Sequence, residues 1–411
     1  PRVRKFFDKN NIKCEIIDDR KDSEKIYDLQ HADLGGVTPF AFQVAATASS
    51  LENNGGILAS PTGTGKTIIM GLITKEHYTR TLILVNSRIL LDQTYEAFDQ
   101  MFPGHVGIIG SGDFELNNIV IATMQSISKI LGIGKRQKPT NNKDKLKDWI
   151  NNVGLMLLDE SHDADNKSID GIYSLLKCKK IFGTTATPYK WAFSGEKSTN
   201  LAIEQYFGPK IYDSRDTVDF IKIGLIVPLY INKFAVPTIP DFNGRIKGTK
   251  EDNYKEIIDK QVVENNARTE LVTQKAREMV KAGKSCYIYF RYLEHSKKLQ
   301  EALSDLNSQL MYGKTSRKKR KEILEQINKK EILLVISDIG SYGLNIPSLD
   351  SLVLAQPVLD ARQLYGRVCR AYPGKEMGLI FDPVDLVPIL AKHSNLRTQQ
   401  ARTCRHIVIG Y

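Results

Sequence analysis

The stretch that most constrains this chain is residues 57–69, ILASPTGTGKTII. It begins with a short apolar run at residues 57–59, passes through Gly63-Thr64-Gly65, and reaches Lys66 and Thr67 where a helix opens. A loop that wraps a phosphate must turn its backbone N–H groups inward, which requires torsions that glycine tolerates. The helix that follows points its partially positive N-terminus at the same anion. In such a loop Lys66 reaches the β- and γ-phosphates and the Thr67 hydroxyl holds Mg²⁺, so ATP and Mg²⁺ are the expected cofactors. A plain glycine turn is the alternative, and the order of strand, loop, Gly-Lys-Thr and helix counts against it.

The 411 residues suit two or three domains, and a hydrophobic content of 41% is enough for ordinary globular cores. The net charge of +11 favours a polyanionic partner. The five cysteines are scattered with no CxxC pair, as in a reducing compartment, and point away from a disulfide frame or a zinc site. No apolar run approaches the ~20 residues of a membrane span, and the charged N-terminal residues do not form a signal peptide. The expected location is the cytoplasm, or a host cytoplasm for a viral chain.

Residues 1–33 are expected to form a small accessory segment or an arm. Pro39 suits the first turn of a helix ending near Glu52, and the Gln43 amide can both donate and accept, as reading an adenine edge requires. Residues 81–85 and 118–123 read as buried parallel strands, with polar groups just past their ends. Those ends are where open α/β sheets bind ligands. Residues 132–152 are basic and polar, a solvated insertion or a DNA contact.

The strand at 154–158 ends in Asp159-Glu160-Ser161-His162. Two adjacent carboxylates at a strand end are costly without a cation. In a phosphate-loop protein Asp159 would hold Mg²⁺ through water, and Glu160 would orient or deprotonate the attacking water. The next strand, 179–182, leads to Gly183-Thr184-Thr185-Ala186-Thr187, whose hydroxyls can bridge the carboxylate turn to another element. Residues 213–226 read as a helix, and 231–262 as irregular linker and insertion. From residue 264 strands and helices alternate again, without a second Gly-Lys-Thr. A very basic stretch lies at 317–321, and a helix carries Gln363, Arg367 and Arg370.

Taken in order from about residue 38 to 372, these motifs resemble those of superfamily 2 helicases and translocases. Residues 60–67 match motif I, 159–162 the DExH form of motif II, 185–187 motif III, 337–347 motif V and 363–370 motif VI. Residues 220–228 and 265–268 resemble the branch that includes phage branch-migration helicases and restriction-enzyme motor subunits. The resemblance implies an α/β fold of two tandem RecA-like domains, parallel sheets flanked by helices, with ATP in the cleft between them. The expected divisions are 1–33 accessory, 34–212 first domain, 213–262 linker and insertion, and 263–411 second domain.

By the same resemblance Ser60, Thr62, Gly63, Thr64, Gly65, Lys66 and Thr67 line the nucleotide, with Gln43 at its base and Gly343 and Asn345 near it. Gln363, Arg367 and Arg370 would reach across from the second domain, and an arginine placed on developing phosphoryl charge is worth ~10³–10⁵ in rate. Thr185 and Thr187 would couple the nucleotide to the moving domain. Arg88, Thr123, Gln125, Arg291 and Lys314 would track the nucleic-acid backbone.

Three positions depart from the pattern. Ser60 stands where the general phosphate loop begins with Gly, Phe40 where related DNA motors carry Arg, and Asn345 where many carry Asp. Three functions remain open from sequence: a DNA motor that unwinds or remodels forked or branched duplexes, an RNA helicase, and a nucleotide-gated protein that grips a junction without unwinding it.

Overall fold

The computed structural model describes residues 10, 12–13, 20, 23–133, 139–161, 167–188, 201–214, 217–240, 253–338 and 346–410. Fifteen strands lie among them. The first eight are β1 (Gly55–Ala59), β2 (Thr81–Val85), β3 (Val106–Gly110), β4 (Asp113–Phe114), β5 (Ile119–Thr123), β6 (Leu155–Asp159), β7 (Lys180–Thr185) and β8 (Lys210–Asp213). They form one sheet in the order β4-β3-β5-β2-β6-β7-β1-β8, parallel except for the β3–β4 pair.

The other seven are β9 (Leu229–Val236), β10 (Cys286–Tyr289), β11 (Ser308–Met311), β12 (Leu334–Ser337), β13 (Ser351–Leu354), β14 (Gly378–Asp385) and β15 (Ile407–Ile409). They form a second parallel sheet in the order β11-β12-β10-β13-β14-β9-β15. Two parallel-dominated sheets flanked by helices are the expected pair of RecA-like domains.

Burial on both faces explains the unbroken apolar runs. Side chains alternate across a sheet with period two. Leu82, Leu84, Val120, Ala122, Met156 and Leu158 pack on one face of the first sheet, and Ile83, Val85, Ile119, Ile121, Leu155 and Leu157 on the other. Tyr287, Val335 and Leu352 face opposite to Ile288, Ile336 and Val353 in the second.

Two boundaries differ from expectation. Leu229–Val236, expected within the linker, is a strand of the second sheet, paired with both β14 and β15. Its partners lie far along the chain, so its own residues give little local sign of them. The expected helix at 213–226 is confined, among described residues, to Thr217–Lys222, and residue 213 still belongs to β8. The late part of the accessory segment, 23–33, is joined to the first domain. The Ile26 N–H donates to the Tyr78 carbonyl at 2.6 Å, and Leu29 is fully buried.

The second domain is closed by a buried ionic network. Arg268 makes a bidentate pair with Asp385 at 3.0 and 2.9 Å. Arg397, on the helix Pro388–Thr403, grips Asp382 at 2.7 Å, with Lys233 of β9 at 3.4 Å from the same carboxylate. These contacts hold the C-terminal helix against β9 and β14.

Candidate active site

The phosphate-loop candidate leaves β1 and enters the helix Lys66–His77. Gly63 and Gly65 have φ of 86° and 77°, a left-handed region that side chains with a Cβ rarely adopt, so here glycine is required. The loop is braced from inside: the Ser60 and Thr64 hydroxyls are 2.7 Å apart, and Thr64 Oγ1 donates to the Pro61 carbonyl at 2.7 Å. The Ser60 N–H donates to Thr185 O at 3.0 Å, tying the loop to β7. Ser60 therefore has a structural task at the position where a general phosphate loop has Gly.

Gln43 lies under this loop. Its Oε1 accepts the Phe40 N–H at 2.9 Å and its Nε2 donates to the Thr64 carbonyl at 3.0 Å. The residue is 3% exposed and is absent from the cleft wall. In this arrangement its amide steadies the phosphate loop.

At the end of β6, Asp159 and Glu160 project toward Lys66. Lys66 Nζ lies 3.3 Å from Glu160 Oε1. Asp159 accepts the Thr184 hydroxyl at 2.9 Å and the Glu160 N–H at 3.0 Å. Burial first, and then the Glu160 charge, push the Asp159 carboxyl above its usual range, against the pull of Lys66 and these hydrogen bonds. Glu160 has a φ of 52°, a strained conformation that aims its side chain into the cleft. Thr185 Oγ1 donates to Glu160 Oε2 at 3.5 Å and accepts the Thr187 N–H at 3.0 Å. The two threonines thus form a chain with Glu160. Thr184, another of the hydroxyl residues expected to bridge to the carboxylate turn, makes the shorter contact, 2.9 Å to Asp159.

The second domain completes the site. A cleft of about 500 Å³ is lined by Thr62, Gly63, Gly65, Lys66, Thr67, Asp159 and Glu160 from the first domain. Gln363, Arg367 and Arg370 line it from the second, together with Leu225 and Pro347. Gln363 and Arg367 sit on the helix Arg362–Val368, and Arg370 lies just beyond it in an isolated bridge with Ile226. Burial and then Arg370 lower the Arg367 pKa to about 10, which leaves it charged at neutral pH. Burial likewise lowers that of Arg370.

The approach between domains is close. A Cβ added at Gly366 would lie 2.5 Å from Thr62 Cβ, and one at Gly63 would lie 3.2 Å from Arg370 Cγ. The motif pattern does not single out Gly366, although a glycine inside a helical pattern signals close approach when it is kept for packing. Gly343 and Asn345 lie outside the described residues.

Four of the five backbone-tracking candidates fall past C-terminal strand ends: Arg88 after β2, Gln125 after β5, Arg291 after β10 and Lys314 after β11, each exposed. Thr123 does not join them. It is 4% exposed and caps the helix Met124–Leu131, accepting the Ser126 N–H at 3.2 Å and donating to Ser126 Oγ at 2.8 Å. Its hydroxyl is committed to the cap.

Two family models match the chain. The Type III restriction enzyme res subunit model covers residues 36–190, and the helicase conserved C-terminal domain model covers 267–372. The chain thus joins a domain of the type III restriction-enzyme res subunit kind to a helicase conserved C-terminal domain. It is 25% identical over 385 residues to the ATP-dependent DNA helicase uvsW of Enterobacteria phage T4, spanning 88% of this chain and 71% of that protein. It is 22% identical over 343 residues to a putative ATP-dependent RNA helicase, L396, of Acanthamoeba polyphaga mimivirus, spanning 82% and 61%. Its fold is similar to that of S. cerevisiae Dbp5 bound to RNA and ADP BeF3, with a TM-score of 0.60, 15% identity and 90% coverage of each chain. The helicase motor is thus an ATP-hydrolysing enzyme. No helix among the described residues is long and apolar enough to cross a membrane.

Proposed function

We propose that this chain is an ATP-driven DNA motor that unwinds or remodels forked or branched duplexes. The observation that supports this most is the placement of Arg367 and Arg370, from one domain, in the same cleft as Lys66, Asp159 and Glu160 of the other. Phosphoryl transfer depends mainly on positioning and on cations set against developing charge. Here those cations come from both domains, so hydrolysis requires the cleft to be closed.

In this account Lys66 leaves its ion pair with Glu160 for the β- and γ-phosphates of ATP. Glu160, released, orients the attacking water and takes its proton. The new bond forms from that water to the γ-phosphorus, and the bond to the β-phosphate oxygen breaks, leaving ADP and phosphate. Thr67 and Asp159 would hold Mg²⁺, whose charge would offset that of two adjacent carboxylates and of the triphosphate. The Asp159 carboxyl, raised first by its burial and then by the Glu160 charge beside it, is one that a bound cation would stabilise in its charged form. Thr185 and Thr187 link Glu160 to the segment after β7 and would pass the state of the nucleotide onward.

DNA is preferred because uvsW, similar over most of this chain, is described as a DNA helicase; exposed Arg88, Gln125, Arg291 and Lys314 lie past C-terminal strand ends of the two sheets and would meet a nucleic-acid backbone. A cytoplasm suits such a motor, and none of the four described cysteines is in a disulfide. The test measures ATPase and strand displacement with forked DNA, a four-way junction, single strands and an RNA duplex. Forked or branched DNA should give the largest stimulation and productive unwinding. Stronger unwinding of RNA duplex would transfer the reading to an RNA helicase. Stimulated binding without strand displacement on any substrate would make the chain a nucleotide-gated clamp.

A further inference from the structure

The helix Arg362–Val368 is short, yet it carries Gln363 and Arg367 into the cleft. Its direction is set where it begins. Among the described residues, 358–361 bond to no strand through their backbone. Side chains of another helix, Pro388–Thr403, take that place. Gln400 Oε1 accepts the Ala361 N–H at 3.2 Å, and its Nε2 donates to the Leu359 carbonyl at 2.9 Å. One turn earlier, Arg397 Nη1 donates to the Val358 carbonyl at 2.8 Å.

Gln400 and Arg397 are both fully buried. Arg397 is anchored in turn by Asp382 and by the Pro383 carbonyl. Both polar atoms of the Gln400 amide are instead given to the loop. Ala361 is the N-cap of the short helix and has no side-chain cap of its own, so the hold from Gln400 acts at the helix's first residue. An amide suits this task because it donates and accepts at once, and so fixes a carbonyl and an N–H relative to each other. Gln400 also lies beyond the residues that either family model matches.

We propose that Gln400 is a positioning residue for ATP hydrolysis: its amide sets the angle at which the helix Arg362–Val368 presents Arg367 to the nucleotide. The proposal rests on the reading of Arg367 as a cation set against the reacting phosphate. The lever is long. From Ala361 to Arg367 the helix rises roughly 9 Å. A tilt of about 6° at the helix start therefore moves Arg367 by roughly 1 Å, and a misplacement of that size costs ~10²-fold in rate.

The test uses the full chain. Gln400→Met is similar in volume and deletes both hydrogen bonds. With forked DNA present, its kcat for ATP should fall about 10- to 100-fold, while the Kd for ADP stays unchanged. Aluminium fluoride added to ADP mimics the transferring phosphoryl group and tightens binding. That tightening should shrink by a similar factor, because Arg367 is engaged in that state. In an Arg367→Ala background the same substitution should cost ~3-fold or less, since residues acting as one unit are not additive. Gln400→Glu, which keeps an acceptor for the Ala361 N–H, replaces the Met variant in the same cycle if that variant does not fold. Unchanged kcat and tightening, whatever the urea midpoint, would make Gln400 a packing residue and overturn the proposal. So would a loss of similar size in both backgrounds. Failure of the underlying reading is visible in Arg367→Ala alone, where full stimulated turnover overturns both.

Discussion

Replacing Gly366 with Ala tests whether the two domains must meet for hydrolysis. The added Cβ would lie 2.5 Å from Thr62 Cβ and 2.9 Å from its Oγ1. Non-bonded carbons rest at ~3.5–4.0 Å, so the helix has to retreat by about 1 Å. Within the helix itself Ala is better than Gly by ~1 kcal/mol, so the second domain by itself is not weakened. Overpacking across the cleft costs ~1–3 kcal/mol, which disfavours the closed state by roughly 5- to 150-fold. A ~1 Å misplacement of a catalytic group lowers the rate by about 10²-fold, and Arg367 is the adjacent residue. The kcat of DNA-stimulated ATPase should therefore fall about 10- to 100-fold. ATP affinity should change little, and the urea midpoint should not drop. Steady-state ATPase, binding of a fluorescent ATP analogue and urea unfolding measure the three quantities. Thr62→Gly removes the atom that collides, so the double variant should recover part of the loss in a mutant cycle. A normal kcat in Gly366→Ala, or losses that simply add in the double variant, would refute the closed-cleft account.

Four other outcomes are expected. Arg367→Ala should retain ATP binding and lose ~10³-fold or more of the stimulated turnover, and full stimulation would remove Arg367 from the reacting charge. Glu160→Gln should bind ATP with Mg²⁺ but hydrolyse it very slowly in single-turnover assays, while normal turnover would mean another group positions the water. Thr185→Ala with Thr187→Ala should reduce strand displacement more than ATPase, because the chain to Glu160 is lost while the carboxylates remain; equal loss of both activities would assign the threonines to packing. Arg268→Ala leaves the Asp385 carboxylate buried without its bidentate partner, so urea unfolding should report a loss of ~3–5 kcal/mol, and an unchanged midpoint would show that the pair does not hold the second domain together.

Much of the site is legible in the sequence because its chemistry is local. The torsions of Gly63 and Gly65, the charge of Lys66, and the carboxylates closing an apolar strand are properties of a few consecutive residues. The paired α/β plan is legible for the same reason, since strands buried on both faces leave continuous apolar runs. Thr123 shows the limit: a hydroxyl past a strand end suits a phosphate contact and a helix cap equally well, and only the position of Ser126 chose the cap. Gln43 is similar, because an amide able to read a base is also able to brace the Thr64 carbonyl.

What only the tertiary structure decided is what depends on residues distant in sequence. Leu229–Val236 became a strand of the second sheet because β14 and β15, more than a hundred residues onward, offer it backbone partners on both sides. Gly366 has no room for a Cβ because Thr62 stands against it across the cleft. A local stretch of sequence specifies torsion, charge and polarity. Which surfaces come within a bond length of contact is set by the sum of many weak packing terms over the whole chain, and no short motif contains that sum.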